Sequence, residues 1–118
     1  MRYYPAFIKL DGEKVVFSGA GEHAAAKIKL LLKTNADLHV FGTDTCADVR
    51  RWAGEGRISL YSRLVEENDV TGARLVYGAN DDPAEDARAA EMGKRAGALT
   101  NIVDNLEASE FLTPAIVD

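Results

Sequence analysis

Cysteine is almost absent from the chain, since Cys46 is the only one among 118 residues. No intrachain disulfide can form, and there is no CxxC pair from which a zinc site could be built. His23 and His39 do not stand at ligand spacing from Cys46, so we expect no metal held by the protein. A chain without disulfides is typical of a reducing compartment, and we expect a cytoplasmic location.

Basic runs and long apolar runs are also lacking. Lysine and arginine together number 14 against 19 aspartates and glutamates, which gives a net charge of −5. This acidic balance argues against a broad nucleic-acid or membrane surface. Pro5 and Lys9 interrupt the first residues, so neither a signal peptide nor a membrane span is predicted there. Small molecules or other proteins are the expected partners.

Apolar residues make up 47% of the chain and come in short bursts that alternate with amphipathic stretches. Bursts of β-branched and aromatic residues predict strands, whereas a period of 3.6 residues predicts helices. Because parallel strands need crossover helices, the alternation predicts one α/β domain over residues 1–118, with a doubly wound, mostly parallel sheet and helices on both faces. The predicted strands cover residues 15–17, 38–41, 58–61, 75–77, 99–103 and 115–117, and the predicted helices cover 22–35, 45 to 54 or 56, and 82–96, with one helical turn within 66–72.

Two of these helices carry start signals in the sequence. Thr45 followed by Asp48 is close to a capping box. Asp82 followed by Pro83 places an N-cap before a proline at the first helical position. We therefore predict that the side chains of Thr45 and Asp82 cap their helices.

The sharpest motif is G-x-G-x-x-A, formed by Gly19, Gly21 and Ala24 between the first predicted strand and the first predicted helix. Gly19 permits a tight turn, Gly21 lets a pyrophosphate approach the backbone, and Ala24 allows close packing of helix on strand. The free N–H groups of the helix N-terminus would then face the phosphates. This context favours a Rossmann-type dinucleotide-binding domain over the alternative, a glycine-rich turn without a ligand.

The end of the second strand bears on which dinucleotide would bind. Gly42 and Thr43 follow that strand, and Asp44 is the first acidic residue after it. Asp44 is placed to reach the ribose 2′-hydroxyl of NAD, and the lack of an arginine there argues against the 2′-phosphate of NADP. The alternative is that Asp44 is a solvated turn residue.

Other polar residues fall at the carboxyl ends of later strands, where open α/β sheets keep their active sites. Asn80 and Asp81 follow the strand at 75–77, and Asp104 follows the strand at 99–103. A carboxylate at the position of Asp104 would accept a proton while hydride passes to a nicotinamide. The alternative for Asp104 is an ordinary turn residue. His23 lies in the turn of residues 19–24, here called the glycine turn. It would either contact the cofactor or obstruct its binding.

Several segments together resemble a known family, the N-terminal domain of siroheme synthase, which comprises precorrin-2 dehydrogenase and sirohydrochlorin ferrochelatase. The likeness covers essentially the whole chain, and its more specific half is the closing pattern Asn-x-Val-Asp followed by Phe-x-x-Pro-Ala. The segments that carry it are residues 5–10, 19–24 with Lys27 and 30–32, the pair Asp81-Asp82, and residues 101–104 with Phe111 and 114–118.

The resemblance implies NAD-dependent oxidation of precorrin-2 to sirohydrochlorin, and in many members insertion of Fe²⁺ into that product. It implies that Asp104 is the catalytic aspartate for both reactions and that Asn101 contacts the substrate. The implied cofactor-binding residues are Gly19, Gly21, Glu22, His23, Thr43, Asp44, Asn80 and Asp81.

The chain also departs from the family pattern. His23 stands where a small or aliphatic residue is usual, Asn80 where threonine is usual, Asp86 where asparagine is usual, and Leu106 where proline is common. These changes bear on cofactor affinity more than on the fold. The family continues into a dimerisation region and a helical domain, so we expect residues 1–118 to be the NAD-binding domain of a homodimer. Much of the site for the carboxylate-rich precorrin-2 is then expected outside this chain.

Two other functions fit part of the pattern. A regulatory module that binds NAD without catalysis has a similar length and glycine turn, but it places an acidic residue where Gly42 stands. It also gives no reason for Asp104 or for the segment from Phe111 to Pro114. A degenerate domain kept for dimerisation is the third interpretation, and ligand titration separates it from the others.

Overall fold

A computed structural model describes residues 1–113 and contains one five-stranded sheet. All strand pairs are parallel, and the strand order is β3-β2-β1-β4-β5. The strand predicted at 115–117 lies outside the described residues. The strands are β1 (Lys14–Ser18), β2 (Asp37–Phe41), β3 (Ser59–Tyr61), β4 (Ala73–Gly78) and β5 (Leu99–Ile102), and the helices are α1 (Glu22–Leu31), α2 (Ala47–Gly54) and α3 (Pro83–Arg95), with a 3₁₀ turn at Glu67–Val70.

Each face of the sheet buries its own apolar cluster, because alternate side chains of a strand point to opposite faces. On one face Val15 and Phe17 of β1 pack with Ile28 of α1 and with α2. On the other face Val16 packs with Met92 of α3 and with the 3₁₀ turn. The predicted doubly wound α/β architecture with helices on both faces is therefore confirmed, and it is a Rossmann-like fold.

The two predicted helix caps had different outcomes. The side chain of Asp82 caps α3 as predicted, accepting a hydrogen bond of 3.0 Å from the Ala84 N–H. The capping box at Thr45 is wrong, since Cys46 is the N-cap of α2 and no side chain caps it. The Cys46 N–H instead donates to the Ala20 carbonyl at 3.0 Å, so main-chain pairing with the glycine turn sets where α2 begins.

The first helix is shorter than predicted. It ends at Leu31, and a series of turns follows as far as Asn35. The Thr34 hydroxyl donates to the Leu31 carbonyl at 2.7 Å. Such a local bond competes with helix continuation, which explains why the apolar periodicity extends beyond the end of the helix.

Residues 103–113, here called the return segment, fold back along the open edge of β5. The Glu110 carboxylate accepts from both the N–H and the hydroxyl of Thr100 at 2.9 Å, and the Glu110 N–H donates to the Thr100 carbonyl at 2.8 Å. The rings of Phe111 and Tyr77 pack edge to face, with ring centres 5.4 Å apart. The segment thus protects an edge strand that would otherwise expose unpaired backbone groups.

Within residues 1–113, no helix has both the length and the apolar character needed to cross a membrane.

Candidate functional site

The carboxyl ends of β1, β2 and β4 border a groove of about 390 Å³, here called the strand-end groove. It lies where the strand order reverses between β1 and β4, which is the place where open α/β sheets bind ligands. Every residue that the sequence predicted for cofactor binding lines it. The full lining is Gly19, Ala20, Gly21, Glu22, His23, Gly42, Thr43, Asp44, Leu64, Ala79, Asn80, Asp81, Asp82 and Glu85.

The floor of the groove requires glycine at position 19. Gly19 has φ +121°, and a Cβ there would lie 2.3 Å from the Ala79 carbonyl oxygen. Its N–H donates to the Phe41 carbonyl at 2.7 Å, which ties the turn to β2. Only glycine permits the chain to pass this close to the loop after β4.

The helix α1 begins at the groove, and no side chain forms a capping hydrogen bond at its N-terminus. Gly21 is the N-cap and makes no side-chain hydrogen bond. A Cβ added to Gly21 would meet nothing closer than the Asp44 carbonyl oxygen at 4.0 Å, so the space beside it is open. The first N–H groups of α1 therefore face an open space, here called the α1 cradle, and helix N-termini of this kind bind phosphate in other proteins.

Carboxylates are the most numerous polar side chains in the lining. Glu22, Asp44, Asp81, Asp82 and Glu85 all border the groove, and its described lining contains no lysine or arginine. The positive end of the α1 dipole is consequently the main electrostatic attraction for an anion here. A ligand with few negative charges fits this groove better than a highly charged one.

The arginine that follows β3 is held away from the groove. Arg63 makes a two-point ion pair with Asp69, with N–O distances of 2.7 and 2.9 Å. The same guanidinium lies over the rings of Phe41 and Tyr61. Its hydrogen bonds hold the pKa of Asp69 below the ordinary value. No sequence pattern indicates this pairing, because it depends on how the chain turns after β3.

Asp104 lies in a tight turn beyond β5. The Asn105 N–H donates to the Ile102 carbonyl at 3.0 Å, and Asp104 has φ +63°. No other non-glycine residue described has a positive φ. Its side chain is 82% exposed, so it is accessible to a ligand from outside. Left-handed backbone at a non-glycine residue is uncommon and clusters at functional sites.

His23 connects the strand-end groove with Asp104. Its Nε2 lies 3.4 Å from Asp81 Oδ1, and its Nδ1 lies 3.7 Å from Asp104 Oδ2. A second groove of about 360 Å³ runs past His23, Asn80 and Asp104. The structure thus brings the predicted catalytic aspartate to the end of the predicted cofactor site.

Asn101, the predicted substrate residue, is buried in β5 and only 6% exposed. Its Nδ2 donates to the Phe111 carbonyl at 2.7 Å, and its Oδ1 has no hydrogen-bond partner among the described residues. It borders a third groove, of about 390 Å³, together with Lys27 and Asp104. In this arrangement Asn101 holds the return segment, and its predicted contact with substrate stays a prediction.

Asp86 is a buried carboxylate, which the sequence marked as a departure from the family pattern but did not assign to the site. It is 6% exposed, and its Oδ1 accepts from the backbone N–H and the side-chain Nδ2 of Asn80 at 2.9 and 3.0 Å. Burial raises the pKa of Asp86, and those hydrogen bonds only partly oppose the shift. No local motif marks this contact, because it joins the first turn of α3 to the preceding loop.

No group of three histidine, cysteine, aspartate or glutamate side chains in the described part of the chain is arranged to hold a metal ion.

Comparisons with known proteins show the family of the chain. Residues 6–115 match a family model described as "Putative NAD(P)-binding". Over its whole length the chain is 39% identical to a siroheme synthase of Pseudoalteromonas atlantica and 36% identical to one of Methylococcus capsulatus. It spans 26% and 25% of those two proteins, so it matches about a quarter of these curated relatives. The resemblance to siroheme synthase is confirmed.

A solved structure named "SirC, precorrin-2 dehydrogenase" shares the fold. It matches with a TM-score of 0.84 at 22% sequence identity. The match covers 96% of this chain and 55% of that chain. Together with the family match over residues 6–115, the glycine turn and the open cradle at α1 lead to one conclusion: the chain belongs to the NAD(P)-binding family.

Proposed function

We propose that this chain is the NAD-binding domain of a precorrin-2 dehydrogenase, which oxidises precorrin-2 to sirohydrochlorin. The observation that carries the proposal is the position of Asp104, which His23 joins to the far end of the strand-end groove. The siroheme synthase relatives and the fold shared with a precorrin-2 dehydrogenase support the substrate. Cofactor and proton acceptor would then meet at one place.

The strand-end groove suits NAD better than NADP. The pyrophosphate would lie on the free N–H groups of α1, and Asp44 would accept from the 2′-hydroxyl of the adenosine ribose. An additional 2′-phosphate would face Asp44 and a described lining without lysine or arginine. Arg63, the cation nearest in sequence to the end of β3, is already paired with Asp69. These contacts support NAD as the cofactor.

Oxidation of precorrin-2 removes one hydride and one proton. Bound NAD⁺ supplies the hydride acceptor, and the protein must supply the proton acceptor. The exposed Asp104 carboxylate takes that proton, while its tight turn fixes the direction from which it meets the substrate. His23, 3.7 Å from Asp104, keeps a polar group beside the carboxylate as its charge changes.

Precorrin-2 carries many carboxylates, and the strand-end groove is itself acidic. Lys27 borders the third groove together with Asp104 and supplies a cation there. We therefore assign most of the substrate contacts to regions beyond this domain, in a cytoplasmic homodimer of the full-length protein. The resemblance to siroheme synthase also implies iron insertion into the product, so we include Fe²⁺ as a further substrate of the whole enzyme.

Calorimetric titration of the 118-residue chain with NAD⁺ and NADP⁺ tests the cofactor. We expect NAD⁺ to bind and NADP⁺ to bind more weakly. A folded sample that releases no heat with millimolar NAD⁺ would contradict the proposal. Comparable affinity for NADP⁺ would contradict the assignment of Asp44.

Substitution of Asp104 in the full-length enzyme tests the chemistry. Asp104→Ala should abolish dehydrogenation of precorrin-2 while NAD⁺ affinity stays unchanged. Asp11→Ala, at an exposed position in a turn before β1, is the matched control and should retain full turnover. If Asp104→Ala turns over normally, Asp104 is not the proton acceptor, and binding without turnover in the unmodified protein would favour a regulatory NAD-binding module.

A further inference from the structure

Asn80 is the centre of a small hydrogen-bond network at the wall of the strand-end groove. Its Nδ2 donates to Ser18 Oγ at 2.9 Å and to Asp86 Oδ1 at 3.0 Å. Its backbone N–H donates to the same Asp86 oxygen at 2.9 Å. Both hydrogens of the amide group are therefore engaged by Ser18 and Asp86, neither of which lines the strand-end groove.

This network fixes which way the Asn80 amide faces. With the amide turned over, its carbonyl oxygen would point at the Asp86 carboxylate, an acceptor facing an acceptor. Asp86 thus selects the orientation in which Nδ2 points inward. The Asn80 Oδ1 is then left over, because the polar contacts of this loop residue within residues 1–113 are made by its Nδ2 and its backbone N–H. Since Asn80 borders the strand-end groove, the network leaves it with an acceptor and no donor to offer a ligand.

The carboxylate is held in place as firmly as the amide. Asp86 lies in the first turn of α3 and packs against the last residue of β4, where a Cβ on Gly78 would lie 3.1 Å from Asp86 Oδ1. The backbone N–H of Asp86 donates to the Asp82 carbonyl at 3.1 Å. A side chain confined in this way transmits its geometry to its partner instead of adapting to it.

The order in which the ends of β2, β1 and β4 border the groove indicates which part of a dinucleotide would contact Asn80. Gly42, Thr43 and Asp44 form the wall at the end of β2, the α1 cradle lies at the end of β1, and Asn80 stands at the end of β4. With the adenosine ribose at Asp44 and the pyrophosphate on α1, the second ribose falls beside β4. Its hydroxyl groups are donors that match a lone acceptor.

We propose that Asp86 is a positioning residue for the cofactor: it turns the Asn80 amide so that Oδ1 accepts a hydrogen bond from a hydroxyl of the nicotinamide-side ribose. This inference rests on the proposed function, because it assumes a dinucleotide in the strand-end groove. It assigns to a buried carboxylate a role in selecting ribose, although that carboxylate does not itself touch the ligand.

Proton exchange of the Asn80 side chain tests the contact itself. In the 118-residue chain we expect the Asn80 amide protons to exchange slowly in nuclear magnetic resonance spectra, because both have partners. Asp86→Leu should accelerate that exchange at least tenfold, whereas Asp86→Asn, which keeps an acceptor oxygen, should preserve the protection. Fast exchange in the unmodified chain would overturn the proposal.

Binding of two related probes tests the consequence for the ligand. ADP-ribose contains the second ribose and ADP lacks it, so only ADP-ribose should form the hydrogen bond with Asn80 Oδ1. We expect Asn80→Ala and Asp86→Leu to weaken ADP-ribose about tenfold, as for the loss of one hydrogen bond, with less than about a twofold effect on ADP. Asp86→Asn should stay within about threefold of the unmodified chain for both probes.

The controls separate positioning from general damage to the fold. Glu91→Leu removes an exposed carboxylate from the same helix, away from the groove, and should change neither affinity. Asn80→Ala alters a partly exposed loop residue, so it keeps the test decisive if Asp86→Leu fails to fold. Equal weakening of ADP and ADP-ribose, or no rescue by Asp86→Asn, would overturn the positioning role alone. An unmodified chain that binds neither ADP-ribose nor NADH would overturn this inference and the proposed function together.

Discussion

Gly19 and Gly12 both have positive φ angles, yet their surroundings differ completely. A Cβ on Gly19 would lie 2.3 Å from the Ala79 oxygen, whereas a Cβ on Gly12 would have no neighbour within 4 Å. Gly12→Ala should therefore lower the free energy of unfolding only by the cost of holding alanine in the left-handed conformation, about 1 kcal/mol. Gly19→Ala adds a collision with backbone and should cost at least about 2 kcal/mol more.

Urea unfolding of the two variants measures the difference. Equal destabilisation by Gly19→Ala and Gly12→Ala would show that the close approach of Gly19 to Ala79 does not limit the residue at position 19.

The position of the glycine turn could be predicted from the sequence. The sequence itself shows a glycine between an apolar burst and an amphipathic stretch, and this pattern indicates a turn between a strand and a helix.

The buried carboxylate of Asp86 gives the folded chain an unusual dependence on pH. Its pKa is raised by burial in the folded state, with Asp82 and Glu85 adding to the shift, and returns to about 3.9 on unfolding. The folded state therefore binds this proton first as the pH falls, and the penalty for burying the charge disappears. Asp86→Asn should raise the free energy of unfolding at pH 7, and that gain should shrink as the pH approaches about 4.

Chemical unfolding of both proteins at a series of pH values checks this expectation. Asp48→Asn is the control, because Asp48 is half exposed and paired with Arg51 on the surface of α2. A gain that grows toward acid would contradict the raised pKa. The pairing of Asp86 with Asn80 could not be predicted from the sequence, because no pattern in residues 80–86 indicates burial or the geometry of the loop.

At the scale of elements, strong apolar bursts were located well. The bursts at 15–17, 38–41 and 75–77 lie within β1, β2 and β4, because strands buried on both faces are continuous apolar runs. Helix ends were harder, since the bond from Thr34 to Leu31 ends α1 early and the bond from Cys46 to Ala20 sets the start of α2. Apolar periodicity reveals neither bond, because the first is a local polar contact and the second joins α2 to the glycine turn.

The return segment contributes an element-scale prediction. Thr100 is fully buried, and both its N–H and its hydroxyl depend on the Glu110 carboxylate. Glu110→Ala leaves two buried donors without that acceptor and should cost about 1–3 kcal/mol of the free energy of unfolding. The N–H of Thr100 should also lose its protection against hydrogen exchange.

Glu107→Ala provides the matched comparison within the same segment. Glu107 is exposed and pairs with Arg2 on the surface, so its removal should cost less than about 1 kcal/mol. Thermal or urea unfolding, combined with amide exchange, distinguishes the two cases. If both variants lose equal stability, the segment is held by packing of residues such as Phe111 and not by the Glu110 bonds.

At the scale of the whole molecule, the net charge of −5 and the acidic groove act together on an anionic ligand. NADP⁺ carries more negative charge than NAD⁺ and should suffer more repulsion. Salt screens that repulsion, with a screening length of about 30 Å at 0.01 M and about 8 Å at 0.15 M. The proposed preference for NAD⁺ over NADP⁺ should therefore become smaller as the ionic strength rises.

Calorimetry at low and moderate salt measures the ratio of the two affinities. Asp44→Asn should narrow that ratio at low salt as well, because it removes a carboxylate from the end of β2. A preference that widens with salt would contradict an electrostatic origin. Charge and the location of the glycine turn could be predicted from the sequence, but the pairing of Arg63 with Asp69 needed the folded chain.

The strand order has one more consequence, which concerns how the site comes into being. β1 pairs with both β2 and β4, and residues 19–72 lie between β1 and β4 in the chain. Closing such a long loop is entropically slow, so we expect the pairing of β1 with β4 to follow that of β1 with β2. Until that late step, a partly folded chain has the glycine turn but lacks the wall that contains Asn80, and a ligand present during folding has nothing complete to bind.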